Sequence, residues 1–472
     1  MKESPVWGIF YLVVIFKYIN SGMLKIASNR DMTSGSPLTV LINFTVPLLL
    51  GNLLQQTYSI VDAVIVGKFL GINSLAAVGA GTSVITLILG FCTGCCCGFG
   101  IPMAQKFGAH DYLTLRRYIF ISLKISAVMS IMIAIITSLL CSDILGWMKT
   151  PEKIMNKAYI YLLITFLGIP FTFFYNLFSS ILRAIGDSRT PFLFLALSTL
   201  INILLDLLTI LLLDWGVTGA AIATVLSQGI SALLCYIYIY RKYDILKGSK
   251  HDKKFDLRIA RQLLYIGIPM GLQVSIIAIG MIMLQSANNS LGTVYIAAYT
   301  SAMRIKIFFV CLLESLGIAM ATYSGQNYGA GKPERIWLGI KSALKIVIVY
   351  VLILNIIVWS FSKELVLLFI DSSEIDVIEN AALFIRISAI FFIVLGVSFI
   401  FRYTIQGVGY TRLALFSGIS EMLARTFVSV FAVPIFKFWA ICFGDPIAWT
   451  FAVLFLLPAF KFVNRKSLLI NN

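Results

Sequence analysis

One aspartate, Asp62, lies within the apolar stretch QQTYSIVDAVIVGKFLG, residues 55–71. A carboxylate within a long apolar segment is costly to bury, so such a residue usually serves a function. Gln55 lies seven residues before Asp62. Because an α-helix advances about 100° per residue, the two side chains lie on nearly the same face, with Ser59 between them. The segment is therefore predicted to carry a polar stripe along one side.

A second polar pair occurs in INILLDLLTI, where Asn202 and Asp206 are four residues apart and share a helix face. Thr224, in AAIATVLSQ, adds a hydroxyl. Two carboxylates with amide and hydroxyl oxygens can bind Na⁺ or share a proton, and the sequence leaves both ions open. If the ion is Na⁺, Asp62, Asp206 and Asn202 are the expected ligands. The alternative is structural hydrogen bonding between helices, but no basic residue in these segments would neutralise the aspartates.

Pro47 lies fifteen residues before Asp62 in the same apolar segment. Proline removes one backbone hydrogen bond from a helix and permits a kink. Pro47 is therefore a predicted hinge that could couple ion binding to bending of the first helix.

Three charged residues stand out in the second half of the chain. Glu421 and Arg425 have i, i+4 spacing in SGISEMLART, which predicts an intrahelical ion pair in preference to a role in a substrate cavity. Glu314, in CLLESLGIA, has no partner at helical spacing. It either lines a cavity for cationic substrates or pairs with Arg304 or with the other half of the protein.

The elements that must position these residues are membrane-spanning helices. Of 472 residues, 59% are hydrophobic and 12% are charged, whereas soluble domains are about 25% charged. Twelve apolar runs approach the ~20 residues needed to cross a bilayer. They cover residues 38–66, 76–104, 118–141, 155–179, 191–213, 217–240, 262–287, 293–322, 337–361, 378–401, 412–435 and 438–460. The predicted fold is an all-α integral membrane protein.

The net charge of +16 comes from basic residues that lie between the apolar runs. They are concentrated in alternate connections between the runs. These connections include the segment 241–261 and a turn that is predicted to contain Arg402 and Arg412. This distribution follows the positive-inside rule and places both termini in the cytoplasm. No basic face or tail typical of nucleic-acid binding is present, so we expect lipid and small molecules as partners and no nucleic acid.

The sequence offers no enzyme motif. It contains no P-loop, HExxH or GxSxG sequence, so neither nucleotide hydrolysis nor a cofactor is expected. The cluster CTGCCCG does not suggest a metal site, because Cys95, Cys96 and Cys97 would point in different directions from a helix. The eight cysteines are interpreted as small packing residues.

The chain also repeats itself. Pro47 aligns with Pro269, FLGINSLAAVGA with SLGTVYIAAYTS, MAQKFGAHD with YSGQNYGAGK, and ILRAIGDSRT with TIQGVGYTR. Each copy holds six predicted helices, so the copies share one orientation about an axis along the membrane normal. The expected organisation is an interfacial or non-native extension (1–31), a first lobe (32–240), a basic cytoplasmic linker (241–261), a second lobe (262–462) and a cytoplasmic tail (463–472).

The segments MTSGSPLTVLINFTVPLLLGNLLQQTYSIVDAVIVGKFLGINSLAAVGA, AQKFGAHDYLTLRR, LRAIGDSRTP, GVTGAAIATVLSQ and SGQNYGAGKPERI resemble the multidrug and toxic compound extrusion (MATE) family of bacterial antiporters. The resemblance implies two six-helix lobes arranged in a V in the bacterial inner membrane. It further implies export of amphipathic, cationic drugs in exchange for Na⁺ or H⁺ by alternating access. A monomer is expected.

The resemblance extends to individual site residues. Asp62, Gln55, Asn202, Asp206 and Thr224 fall where DinF-like and archaeal members have a cation site in the first lobe, and Pro47 falls on their bending proline. The seventh run, IGIPMGLQVSIIAIGMIM, lacks the acidic residue of the NorM-like branch, so a cation site of that type in the second lobe is not expected. Two rival functions are a lipid-linked oligosaccharide flippase, which would usually have a cationic cavity, and an uncoupled channel or membrane scaffold.

Overall fold

The computed structural model describes residues 31–246 and 255–468. Within these ranges the protein is helical and contains no β-strand. Eleven helices are long and apolar enough to cross a membrane, and one bent pair of helices brings the number of spans to twelve. The all-α, twelve-span prediction is therefore confirmed. The predicted extension, up to residue 30, lies outside the described residues, as do parts of the linker and of the tail.

The described part of the first half, residues 31–246, contains nine α-helices. They are α1 (Pro37–Leu70), α2 (Ile72–Ala80), α3 (Thr82–Gly108), α4 (Tyr112–Leu139), α5 (Cys141–Trp147), α6 (Glu152–Leu167), α7 (Ile169–Ala184), α8 (Arg189–Leu207) and α9 (Gly216–Lys242). A π-helical turn, Leu208–Leu212, follows α8, and a 3₁₀ turn, Asp244–Leu246, follows α9.

Seven α-helices lie in the second half, over residues 255–468. They are α10 (Leu257–Asn289), α11 (Thr293–Gly329), α12 (Pro333–Leu367), α13 (Ile375–Val408), α14 (Thr411–Phe427), α15 (Val433–Phe436) and α16 (Phe438–Val463). A π-helical turn, Val428–Ala432, follows α14, as the equivalent turn follows α8 in the first half. A further π-helical turn, Asn464–Leu468, follows α16.

Two predicted spans differ in detail from the observed helices. The run 155–179 is broken at Gly168 into α6 and α7, which meet at 43°. Gly168 packs against Val225, and Pro170 in the first turn of α7 lacks a backbone N–H, so a straight helix cannot continue through this point. The run 76–104 begins later, at Thr82, because α2 forms a separate short helix that ends at Ala80 and is capped by Gly81.

The two halves meet through glycines on α3 and α10. An added Cβ at Gly98 would lie 2.6 Å from the Gly267 Cα, and one at Gly94 would lie 2.6 Å from the Met270 carbonyl oxygen. These glycines form the small-xxx-small pattern that lets membrane helices approach closely. The cluster CTGCCCG thus serves helix packing, and all eight cysteines are free thiols.

The contact between the lobes is most buried toward the C-terminal end of α3, although it reaches Leu87, whose carbonyl accepts a hydrogen bond from Ser275 Oγ at 3.2 Å. Most residues from 92 to 104 are buried, whereas none from 82 to 91 is buried. The buried end leads to the turn before α4 and faces the start of α10, so it lies on the basic side of the protein. The lobes therefore close on the basic side and separate toward the other side, as expected for a V.

The first helix of each lobe begins against the opposite lobe. Val40, Leu41 and Phe44 of α1 belong to the hydrophobic core of the second half. Ile259 and Leu263 of α10 belong to the core of the first half. Because both helices cross between the cores, a change in the tilt of either helix alters the relative position of the lobes.

Candidate functional site

Asp62 on α1 and Asp206 on α8 come together inside the first lobe. The two carboxyl groups are close enough to share a hydrogen bond. Asp206 is fully buried and Asp62 is half-buried. Within residues 31–246 and 255–468, no basic side chain pairs with either carboxylate. Two adjacent carboxylates repel one another, so the pair has the chemistry needed to bind a cation or to share a proton.

Asn202 and Thr224 complete this polar group. With its amide oriented to satisfy both polar atoms, Asn202 Nδ2 donates to Asp206 Oδ2 at 3.0 Å, and its Oδ1 accepts from the Thr224 N–H at 3.1 Å. The Thr224 hydroxyl lies 3.3 Å from the Tyr58 hydroxyl. Four of the five predicted first-lobe residues are thus brought together.

The donor set fits a hard cation. Oδ1 of Asp62 and Oδ1 of Asp206 are both buried and accept no hydrogen bond from the part of the chain that the structure describes. Carboxylate, amide and hydroxyl oxygens suit Na⁺, and the paired carboxylates equally suit a proton. The described residues contain no group of three or more His, Cys, Asp or Glu side chains, so the site lacks the ligands of a transition-metal centre.

Sequence reasoning missed two tyrosines at this site. Tyr58 lies one helical turn before Asp62 on α1, and Tyr161 on α6 lies within electrostatic range of both carboxylates. The i, i+4 spacing of Tyr58 and Asp62 was a usable signal. Tyr161 carried none, because only the fold brings α6 to this place.

The structure places Gln55 and Pro47 away from the carboxylates. Gln55 is exposed, and Ser59 donates to the Gln55 backbone carbonyl at 3.1 Å instead of extending the polar stripe. Pro47 is buried in the portion of α1 that packs against the second lobe, and α1 is one continuous helix through it. A role for either residue remains a prediction.

Glu314 on α11 is not part of the buried core of the second lobe. Its side chain is exposed although Leu313 and Ser315 on either side are buried. It lies near Tyr403, which lines a cavity at the junction of the lobes. The described residues show no ion pair between Glu314 and Arg304, so of the two predicted alternatives the geometry favours a cavity residue.

The cavity is lined by both lobes. Cys97, Ser180 and Arg183 contribute from the first lobe, and Met270, Thr322 and Tyr403 contribute from the second. Arg183 donates to Ser180 Oγ at 2.8 Å. The walls are thus largely apolar, with Arg183 among the lining residues and Glu314 near Tyr403.

Glu421 and Arg425 are part of a larger buried network. The predicted ion pair is present, with 3.2 Å between Arg425 Nη1 and Glu421 Oε2. Arg425 Nε also donates to Asp445 Oδ1 at 2.7 Å. Lys306 pairs with the other Asp445 oxygen, and Arg402 pairs with Glu421. All five side chains are at most 5% exposed, so Glu421 and Arg425 lie inside the second lobe and do not line the cavity.

One expectation about basic residues was therefore wrong. Arg402, assigned to a basic turn, lies within α13 and is 4% exposed. The second lobe holds three buried cations, Lys306, Arg402 and Arg425. Asp445, the single charge in the last apolar run, was the available signal, since buried charges are normally paired.

A family model identifies the family of this chain. The model described as MatE matches residues 47–208 and 266–431, one match in each half of the chain. The chain belongs to the MatE family. The resemblance read from the sequence is confirmed, and the MatE chain is a multi-pass membrane transporter, not an enzyme.

Named relatives agree with this assignment. The chain is similar to the probable multidrug resistance protein YpnP of Bacillus subtilis (strain 168), with 30% identity over 80% of this chain and 84% of the relative. It is also similar to the probable multidrug resistance protein YoeA of the same strain, with 29% identity over 83% of each protein.

A solved structure shows the same fold as the MatE chain. It is described as the outward-facing conformation of a multidrug resistance MATE family transporter of the MOP superfamily. The two share 23% identity and superpose with a TM-score of 0.87 over 94% of this chain and 99% of the other. This likeness supports the two-lobed architecture.

Proposed function

We propose that this MatE transporter exports amphipathic, cationic compounds from the bacterial cytoplasm in exchange for Na⁺ or H⁺. The observation that carries the proposal is the contact between the buried Asp206 and the half-buried Asp62, which have no basic partner among the described residues. Such a pair binds the coupling cation. The multidrug resistance names of the relatives and the acidic Glu314 at the cavity support cationic substrates.

The proposed cycle uses elements that connect the cation site to the cavity. Asp62 lies on α1, and the first part of α1 packs into the second lobe. Cation binding between α1 and α8 changes the free energy of one arrangement of the lobes relative to the other, which is the requirement for coupled transport. Pro47 is the proposed hinge in α1, and Gln55 is proposed to guide the ion from the open side. Both termini are proposed to be cytoplasmic.

The first test is ethidium transport in proteoliposomes, with a Na⁺ gradient and a pH gradient imposed separately. One of the two gradients should drive ethidium transport by the wild-type protein, with ethidium moving in the direction opposite to the ion. Asp62→Asn and Asp206→Asn should each reconstitute normally but lose this coupled transport. The neutral amide removes one of the two negative charges that would bind the ion.

Asp371→Asn is the matched control, since Asp371 is an exposed loop residue whose carboxylate bonds only to Ser373 within the described residues. It should transport like wild type. Full coupled transport by both site variants would overturn the assignment of the cation site.

One observation favours a second function. Arg183 lines the cavity and could bind the phosphate of a lipid-linked oligosaccharide. A flippase would move such a lipid without ethidium transport under either gradient. Translocation of a fluorescent lipid-linked oligosaccharide, lost in Arg183→Met, would establish this alternative.

A further inference from the structure

Two glutamines at equivalent positions of the repeat bond across the lobes. Gln105 on α3 donates from Nε2 to the Gly407 carbonyl on α13 at 2.9 Å. Gln326 on α11 donates from Nε2 to the Ala184 carbonyl on α7, also at 2.9 Å. Gln105 aligns with Gln326 and Ala184 aligns with Gly407 in the repeat, so the two bonds are related by the pseudo-twofold axis. Each lobe therefore binds the end of a helix in the other.

The backbones of the same two helices touch beside these bonds. A Cβ added at Gly108 would overlap the Gln326 carbonyl oxygen, and one added at Gly329 would overlap the Gln105 carbonyl oxygen. The colliding atoms are backbone atoms, which cannot turn aside as a flexible side chain can. We name Gln105, Gly108, Gln326 and Gly329 the cross-lobe latch.

The latch also holds the chain that enters α1. Gln326 Oε1 accepts the Met32 N–H at 3.0 Å, and Asn327 Nδ2 donates to the Met32 carbonyl at 3.1 Å. Arg335 donates to the Gly35 carbonyl at 3.0 Å. Gln326 thus joins the first lobe and the start of α1 through one side chain, and α1 is the helix that carries Asp62.

The latch lies directly beneath the cavity. Ala104 and Ala184 both line the cavity. Ala104 directly precedes Gln105, and Ala184 supplies the carbonyl that Gln326 binds. Any opening of the cavity toward the basic side separates α3 from α11 at this level. Both glutamine bonds and both glycine contacts must then be lost together.

We propose that the cross-lobe latch is the gate that closes the transport cavity on the basic side and is released once in each transport cycle. The proposal rests on the alternating access proposed above. The two glutamines stabilise the closed state through their hydrogen bonds, and the two glycines allow the helices to approach closely enough to close. These four residues are additional to those of the cation site.

Cys97 provides a native reporter of the gate. It lines the cavity and is half-buried, whereas the other seven cysteines, all within the described ranges, are buried. A membrane-impermeant maleimide is added to right-side-out or to inside-out vesicles, and Cys97→Ser defines the background. With the latch closed, wild-type Cys97 should react from the side opposite the basic loops.

Gly108→Ala and Gly329→Ala should shift this reaction to the basic side, because the closed contact cannot accommodate a methyl group. Gly79→Ala is the matched control, since no atom lies within 4 Å of a Cβ at that position. Gln105→Leu with Gln326→Leu is a second variant that removes the two bonds without adding bulk. It should increase labelling from the basic side severalfold.

Folding is checked in each variant by size-exclusion elution. Unchanged labelling from both sides in folded glycine and glutamine variants would overturn the latch. Labelling requires neither substrate nor an ion gradient, so a failure of ethidium transport by the wild type would contradict the proposed function while leaving this result interpretable.

Discussion

At the scale of residues, the two lobes differ in whether their carboxylates are paired with basic side chains. The first lobe buries two carboxylates together and leaves an oxygen of each without a hydrogen bond from the described residues. The second lobe places the Arg425 guanidinium between Glu421 and Asp445. In the repeat, Arg425 occupies the position of Asn202. The second lobe thus carries its own cation at the position equivalent to the proposed cation site of the first lobe.

This comparison predicts that Arg425 stabilises the second lobe without serving ion coupling. Arg425→Met should lower the free energy of unfolding by about 3–5 kcal/mol, because it removes a partner from two buried carboxylates. The measurement is thermal unfolding in detergent. Lys363→Met is the control, since the pair of Lys363 with Glu379 is more than half exposed and should contribute at most about 1 kcal/mol.

A second substitution separates charge pairing from packing. Asp445→Asn in the Arg425→Met background should recover part of the lost stability, because it removes one of the carboxylates left without its arginine. A melting temperature of Arg425→Met equal to that of wild type would contradict the structural role of the network.

At the scale of elements, α1 links the cation site to the second lobe. Its first turns pack into the second core, and Asp62 lies 15 residues beyond Pro47 on the same helix. Pro47 cannot donate to the Asn43 carbonyl, so the backbone is weakened between these two regions. α1 is thus a single helix with one compliant point.

Pro47→Ala should restore the missing hydrogen bond and stiffen α1. We expect coupled ethidium transport to fall while the protein becomes slightly more stable to heat, since alanine favours the helix interior. Pro333→Ala is the matched control, because Pro333 lies in the first turn of α12, where no intrahelical bond is lost. Transport by Pro47→Ala at the wild-type rate would contradict the hinge.

At the scale of the whole molecule, the proposed alternating access requires the lobes to separate on the basic side. Ala104 and Gly325 face each other across this interface, and a Cβ at Gly325 would lie 3.2 Å from the Ala104 Cβ. The closed structure therefore predicts a position for a reversible cross-link between the lobes.

Ala104→Cys with Gly325→Cys should form a disulfide under mild oxidation and hold the lobes closed. Ethidium transport should stop on oxidation and return with a reducing agent, and each single variant should be insensitive to both treatments. Continued transport by protein shown to be cross-linked would mean that this interface does not open during transport.

The sequence by itself determined the twelve spans, the duplication and the pairing of Asn202 with Asp206. Each depends on local composition or on spacing along one helix, which the chain records directly. Asp62 was identifiable as a single charge in an apolar run, and the family followed from dispersed motifs. Gln55 shows the limit of spacing, because it shares a face with Asp62 but is exposed in the structure.

Only the tertiary structure decided which spans meet. The contact of Asp62 with Asp206, the five-residue charge network and the cross-lobe latch each join residues more than one hundred positions apart or in separate lobes. Helical periodicity fixes the face on which a side chain lies, but not the helix that it faces. Lys306 and Arg402 were for this reason located only by the fold, since their partners are chosen by packing between helices.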